Sequence, residues 1–136
     1  ELVNLQLPQE FKILQTIPGF GFVIPLTILY EIGDISRFKT VGHFLSYARL
    51  VKCTHNSADK KESGGHNKIG NVHLKWAFSE AAVMILSGNP EAQKWHVSRY
   101  GKAKAMSIIA QKLGRTVFYM LKRKEQFDAI KFYTGQ

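Results

Sequence analysis

The chain contains 136 residues, of which 45% are hydrophobic, and its nineteen Lys and Arg outnumber ten Asp and Glu to give a net charge of +9. This length and apolar content fit one globular domain and exclude a wholly disordered chain. The lone Cys53 excludes a disulfide framework, and no apolar run approaches the roughly 18 residues of a membrane span. We therefore expect a cytoplasmic domain without membrane contact. The start at Glu1, without an initiator Met, leads us to expect a piece of a longer protein.

Helical patterns dominate the chain from its N-terminus onwards. Apolar residues recur at three- and four-residue spacing, and period-two alternation is nowhere sustained. Gly33 and Gly88 are typical helix ends, and the pair Asn89-Pro90 is a typical helix start. The predicted helices cover residues 9–16, 22–34, 40–48, 71–88, 89–100 and 102–124. In the last of them Lys104, Arg115 and Lys122 are predicted to face outward, and the inward stripe is predicted to be Ala105, Ile108, Ile109, Leu113, Val117, Met120 and Leu121. We therefore predict a mainly α fold, in which residues 1–136 form one small helical domain.

Basic residues are concentrated towards the C-terminal end of the chain. Between Glu91 and Glu125 the sequence has nine Lys or Arg and no acid. The electrostatic field of this positive charge would attract polyanions, of which nucleic acid is the commonest. A basic surface without any partner is the open alternative. An anionic membrane is disfavoured, because the basic residues are spread over several elements and do not line one amphipathic helix.

The stretch IPGFG, residues 17–21, separates the first two predicted helices. Gly19 and Gly21 would let backbone amides approach a phosphate without obstruction by a Cβ atom, and the next helix N-terminus adds partial positive charge. This is the arrangement of a helix-hairpin-helix, which clamps the DNA backbone without reading sequence. An ordinary αα-hairpin whose glycines serve only the turn is the alternative.

A polar, basic loop is predicted over residues 54–69. Ser57 and Lys60 have the S-x-x-K spacing of some serine hydrolases, in which a lysine acts as the base. Ser63 is followed by two glycines, which loosely resembles a phosphate-binding loop but lacks the complete nucleotide motif. A solvated loop without chemistry is the third interpretation.

Metal binding is not predicted within this chain. The five histidines never pair with carboxylates at ligand spacing, and only three aspartates are present. No paired-carboxylate acid and base site is evident either.

Four blocks of the sequence carry a family resemblance. They are LQTIPGFGFVIPLTILYEIGDISRFKT, FLSYARLV, GNVHLKWAFSEAA and IAQKLGRTVFYMLKRKEQFD. Together these blocks resemble the C-terminal domain of transposases of the insertion-sequence one-ten type, a family that includes the Piv and MooV DNA invertases. The resemblance covers most of the chain, from Leu14 to Asp128.

The resemblance implies one half of a two-part recombinase. The other half, absent from this chain, would be an N-terminal RuvC-like domain whose DEDD acids hold a divalent metal, expected to be Mg²⁺. The implied activity is transposition, or site-specific recombination of DNA, guided by a bridge RNA. The implied assembly is a homo-oligomer in which one protomer's serine lies near another's metal site. No cofactor is expected in this domain, which we expect to be inactive alone.

The resemblance also selects the reactive serine. In the family the serine precedes a Gly-Asn pair that opens a helix. Counting back from Gly70 and Asn71 at the family's spacing leads to Ser57, with Lys60 on the motif's lysine. Ser57 is therefore the expected nucleophile, which would form a covalent phosphoserine link with DNA, and Ser63 is the second candidate.

The remaining expectations concern DNA contact. The residues expected to contact DNA are Gly19, Gly21, Lys60, Lys61, Lys68, Asn71 and Lys75. Ala58 and Asp59 depart from the family's pattern of small, glycine-like residues, and Asp59 adds negative charge near an incoming phosphate.

Two other functions remain open: a non-catalytic helix-hairpin-helix DNA-binding module, and a stand-alone Ser/Lys hydrolase.

Overall fold

The computed structural model of the chain describes residues 8–51 and 70–134, and within them every regular element is a helix. The helices are α1 Pro8–Gln15, α2 Val23–Ile32, α3 Val41–Tyr47, α4 Val72–Ser87, α5 Pro90–Tyr100, α6 Lys102–Arg123 and α7 Ala129–Thr134. A short 3-10 helix, Ile35–Arg37, links α2 to α3. No helix in this described part has the length and apolar character that a membrane crossing requires. The predicted mainly α fold is confirmed, and the whole of the predicted polar loop, residues 54–69, lies outside the described residues.

Local sequence signals set most helix ends as predicted. The side chains of Thr40 and Asn89 accept hydrogen bonds from the backbone amide three residues later, at the starts of α3 and α5. Gly33 ends α2 with a left-handed φ of 74°. Helix α7 was not predicted, although Asp128 provides the same kind of cap. Phe132 of α7 is buried in the core, so this last helix is fixed to the domain.

Helix α6 is the centre of the fold and packs against α1, α3, α4 and α5. Its buried residues follow the predicted stripe: Ala105, Ile109, Leu113, Val117, Met120 and Leu121. Ile108, which was also predicted to face inward, is only partly buried. On the opposite side Lys104, Arg115 and Lys122 are exposed as predicted. The amphipathic pattern thus places the core on one side of α6 and its charge on the other.

Aromatic packing joins α3 to both long helices. The ring of Phe44 in α3 lies 6.0 Å from that of Phe78 in α4 and 5.8 Å from that of Phe118 in α6. All three side chains are buried. Rings at these separations stabilise each other beyond the burial of their area. This contact fixes α3 against the two helices that form the body of the domain.

Helix α2 runs antiparallel to α4. Gly19, in the turn before α2, lies against Met84 near the end of α4: a Cβ atom added to it would be 3.0 Å from Met84 Cβ. Glu31, near the end of α2, accepts a hydrogen bond from Asn71, just before α4 begins. The α1–α2 hairpin therefore touches both ends of α4.

Gly114 of α6 is buried against Leu45 of α3 and against Leu50, and this contact provides a test of the fold. A Cβ atom at position 114 would lie 2.5 Å from Leu50 Cδ1 and 2.9 Å from Leu45 Cδ2. We expect Gly114→Val to lower the free energy of unfolding by about 1–3 kcal/mol through overpacking. The control is Gly42→Val at an exposed position of α3, where the nearest atom would be Thr40 Oγ1 at 3.6 Å. Urea denaturation of both variants checks this expectation, and equal losses would contradict it.

Candidate nucleic-acid interface

The start of α4 is held by the side chain of Asn71. Its Oδ1 accepts a hydrogen bond from the amide of Leu74 at 2.9 Å and so caps the helix. Its Nδ2 donates to Glu31 Oε1 at 2.7 Å and to Tyr47 Oη at 3.3 Å. One residue therefore joins the first turn of α4 to the ends of α2 and α3.

The backbone before the segment 52–69 and the backbone after it come together beside Asn71. The amide of Asn71 donates to the carbonyl of Tyr47 at 2.6 Å. Gly70 has a φ of 100°, and a Cβ atom there would lie 2.5 Å from Arg49 Cγ and 2.8 Å from the Tyr47 carbonyl oxygen. Only glycine fits such a close approach with a positive φ. We call these four residues, Tyr47, Arg49, Gly70 and Asn71, the loop base.

The loop base is braced from the side of the 3-10 helix. Arg37 donates to the carbonyl of Ile32 at 2.9 Å, and its guanidinium carbon lies 4.9 Å from the centroid of the Tyr47 ring. Cation–π contacts of this kind are worth about 0.5–1 kcal/mol at exposed sites. The side chain of Tyr47, whose hydroxyl accepts the hydrogen bond from Asn71, is thus itself fixed.

Lys75 is the basic residue nearest to the loop base on α4. It is exposed, and its Nζ lies 3.4 Å from the carbonyl oxygen of Arg49, to which it donates. Arg49 itself has a left-handed φ of 60° and is partly exposed. A phosphate bound next to the loop base would therefore lie close to two cationic side chains, Lys75 and Arg49, whose backbone positions are fixed.

The glycine turn has a different environment. Gly19 has a φ of 84° and packs against Met84, so its lack of a side chain is explained by contact with α4. Gly21 has a φ of 61°, and a Cβ atom there would meet nothing within 4 Å. No acceptor in the described residues takes a hydrogen bond from the amides of Gly21, Phe22 or Val23, and Phe22 provides no side-chain cap to α2. These open amides could therefore donate to an acceptor from outside the described residues.

The predicted DNA-contacting residues fall into two groups at opposite ends of α4. Gly19 lies against Met84 and Gly21 follows in the same turn, whereas Asn71 and Lys75 lie at the start of α4. The thirteen-position separation between residues 71 and 84 corresponds to about 20 Å of helix. The structure therefore does not bring these four residues into one cluster. The candidates Ser57, Ser63, Lys60, Lys61 and Lys68 lie outside the described residues.

Three loop-base contacts were not foreseen from the sequence. Glu31 and Tyr47 meet Asn71 across 40 and 24 residues of sequence, and Arg49 meets Lys75 across 26. No local pattern marks such pairs. The Gly-Asn pair was the available signal, because it marked the helix start on which these contacts depend.

Metal ligands are not grouped in the described residues. Residues 8–51 and 70–134 contain no set of three or more His, Cys, Asp or Glu side chains placed to hold an ion. These residues therefore do not fit the divalent metal that the resemblance implies for another domain.

Comparison with known proteins identifies the family. Residues 11–97, which include the glycine turn and the loop base, match the family described as Transposase IS116/IS110/IS902. The chain belongs to this transposase family. Its family match ends within α5, before helix α6 begins.

Relatives in the family are similar over most of this chain. The pilin gene-inverting protein of Moraxella bovis is 32% identical over 138 residues, covering 94% of this chain and 42% of the relative. The transposase for insertion sequence element IS1111A of Coxiella burnetii is 26% identical over 126 residues, covering 88% of this chain and 35% of the relative. The chain thus spans less than half the length of these relatives. No solved structure matches it.

The role of Asn71 can be measured against that of Asn89. We expect Asn71→Ala to lower the free energy of unfolding by about 2–3 kcal/mol, because a cap and two further hydrogen bonds are lost together. Asn89 caps α5 through the amide of Ala92. Asn89→Ala should therefore cost only about 1 kcal/mol. Chemical denaturation gives both values, and an equal loss in the two variants would show that Asn71 acts only as a cap.

Proposed function

We propose that this chain is the DNA-binding and serine-nucleophile domain of a transposase, with Ser57 as the nucleophile and Ser63 as the second candidate. The observation that carries the proposal is the loop base. The segment 52–69, which contains both serines, is joined to the described residues at Val51 and Gly70, and Gly70 lies against Arg49. A segment closed at a fixed, cationic base is suited to present a reactive side chain.

The proposed reaction is attack of a serine hydroxyl on a DNA phosphodiester. The bond from Ser57 Oγ to phosphorus forms as one ester bond from phosphorus to a strand oxygen breaks. The serine proton passes to a general base, and the departing strand end leaves as a hydroxyl after taking up a proton. Lys60, Lys61 and Lys68 are proposed to offset the charge that develops on the phosphate oxygens.

The rest of the catalytic machinery is proposed to lie on another domain of the full-length protein. A RuvC-like domain would hold Mg²⁺ through its acids and supply Lewis-acid activation. This domain would hold the DNA and present the serine. A bridge RNA and assembly into a homo-oligomer, in the bacterial cytoplasm, are further parts of the proposal that follow from the family resemblance.

DNA binding is proposed at both ends of α4. The open amides at Gly21 would bind one backbone phosphate, and Lys75 beside Arg49 would bind another. Such contacts are independent of base sequence. Binding by the domain alone should be weak and salt-sensitive, with a dissociation constant on the order of 10⁻⁴ to 10⁻⁶ M at physiological salt.

The alternative function is a non-catalytic helix-hairpin-helix module. The observation that favours it is the turn at Gly21, which is open to solvent between two short helices. In that case the undescribed segment would have no chemical role, and both serines could be replaced without effect on recombination.

The nucleophile is tested in the full-length transposase that carries this domain. We expect Ser57→Ala to abolish the covalent protein–DNA adduct and Ser63→Ala to leave it in place, because only one hydroxyl attacks phosphorus. The adduct is detected by denaturing electrophoresis with labelled DNA. An adduct that survives Ser57→Ala but not Ser63→Ala would reverse the assignment, and one that survives both changes would favour the non-catalytic module.

The glycine turn is tested with Gly21→Asn, which adds a side chain where the amides are open. Asn tolerates a positive φ, so the backbone should keep its conformation. We expect duplex DNA affinity to fall by roughly tenfold, because the added side chain obstructs a phosphate held by charge-assisted hydrogen bonds.

Gly42→Asn provides the control. Gly42 is exposed on α3, and the atom nearest to a Cβ there would be Thr40 Oγ1 at 3.6 Å. Fluorescence anisotropy with labelled duplex DNA compares the two variants, and circular dichroism checks their folding. Equal affinities in the two variants would exclude the turn as a DNA contact.

A further inference from the structure

Several basic residues of α6 line a cleft in the surface of the described part of the chain. A cleft of about 540 Å³ lies between the C-terminal half of α6 and α7, and we call it the α6–α7 cleft. Lys112, Arg115 and Arg123 line it from α6, and Lys131 lines it from α7. Tyr119 lies between the two arginines at four-residue spacing, so all three belong to one face of α6.

Positive charge in the α6–α7 cleft exceeds negative charge. The acids lining it are Glu125 and Asp128, and Asp128 Oδ1 is already engaged in capping α7 through the amide of Lys131. Lys112 is partly buried, with its Nζ 4.9 Å from the centroid of the Phe132 ring, and this burial lowers the pKa of its ammonium group. An anion in the cleft would stabilise the charged form of these side chains.

An aromatic ring is available beside these cations. Tyr119 is 36% exposed, and the guanidinium carbon of Arg123 lies 4.6 Å from the centroid of its ring. Arg115 and Arg123 are eight residues apart, which corresponds to about 12 Å along α6. Proteins that bind single strands combine the same two elements, cations for the phosphates and an aromatic face for a base.

The walls of the cleft are fixed by the turn between its two helices. Lys124 ends α6 in a left-handed conformation, and the amide of Glu125 donates back to the carbonyl of Met120 at 3.0 Å. The amide of Phe127 donates to Thr16 Oγ1 at 2.9 Å, which ties the turn to the end of α1. A site formed in this way exists before any ligand binds.

We propose that the α6–α7 cleft binds an unpaired nucleotide of a nucleic-acid strand, with Tyr119 stacking on the base and Arg115 and Arg123 binding the flanking phosphates. The volume of the cleft lies in the range of small-ligand sites, which suits one unpaired nucleotide rather than a duplex. The inference rests on the proposed function in taking nucleic acid as the ligand. It goes beyond that proposal, which places DNA contacts at the two ends of α4.

The phosphate contacts are tested with two double variants of equal charge. Arg115→Gln with Arg123→Gln removes two cations from the cleft, whereas Lys122→Gln with Lys124→Gln removes two cations that line a different depression. Fluorescence anisotropy measures the affinity of the folded chain for short labelled oligo-dT and oligo-U. We expect the arginine pair to lose about tenfold more affinity than the lysine pair. Equal losses would mean that only net charge matters and would overturn the proposal.

The stacking contact is tested with Tyr119→Leu. We expect a loss of about 5- to 100-fold in affinity for oligo-dT and no comparable loss for an abasic strand, which has phosphates but no base to stack. Tyr30→Leu is the control, because Tyr30 is 80% exposed on α2, away from the cleft. Equal losses on the two strands would overturn the assignment of Tyr119.

The same measurements identify the source of the strand and separate the two proposals. A larger loss of oligo-U binding than of oligo-dT binding in the arginine pair would indicate RNA as the natural strand, and the reverse would indicate DNA. A chain that binds duplex DNA but neither oligonucleotide overturns the cleft proposal alone. A chain that binds none of the three overturns the proposed DNA binding as well.

Discussion

The side chain of Asn71 is the contact on which the arrangement of α2, α3 and α4 depends. Its oxygen caps α4, and its nitrogen donates to Glu31 and Tyr47. Because an amide group has one acceptor and two donors in a fixed plane, these three bonds together define where α4 begins. Gly70 then allows the backbone to reach Arg49 without a clash. The place where the segment 52–69 joins the domain is therefore set by packing and by directional bonds.

The buried aromatic contacts supply the rigidity that this arrangement requires. Phe44 of α3 touches Phe78 and Phe118, so the helix that precedes the loop base is held by both α4 and α6. Arg37 then holds Tyr47 from outside the core. In a scaffold of this kind, functional residues can lie on connecting segments while helices fix their attachment points. The family match over residues 11–97 contains all of these residues except Phe118.

Sequence patterns predicted the parts of the structure that depend on local signals. Caps such as Asn89 and the apolar stripe of α6 are set by residues three or four positions apart, and both were confirmed. Asn71 was expected to touch DNA, but its side-chain bonds to Glu31 and Tyr47 join residues far apart in sequence. The separation of the glycine turn from Lys75 likewise depends on the antiparallel packing of α2 on α4. Contacts between residues far apart in the chain produce no periodic pattern, so they cannot be predicted from a single sequence.

Helix α4 separates the glycine turn from the loop base by about 20 Å, and a helix is a stiff spacer of fixed length. If DNA lies along it, this distance corresponds to about six base pairs at roughly 3.4 Å each. Under the proposed function, the distance between a phosphate bound at the glycine turn and the phosphate attacked by the serine would then depend on the length of α4 and not on recognition of bases.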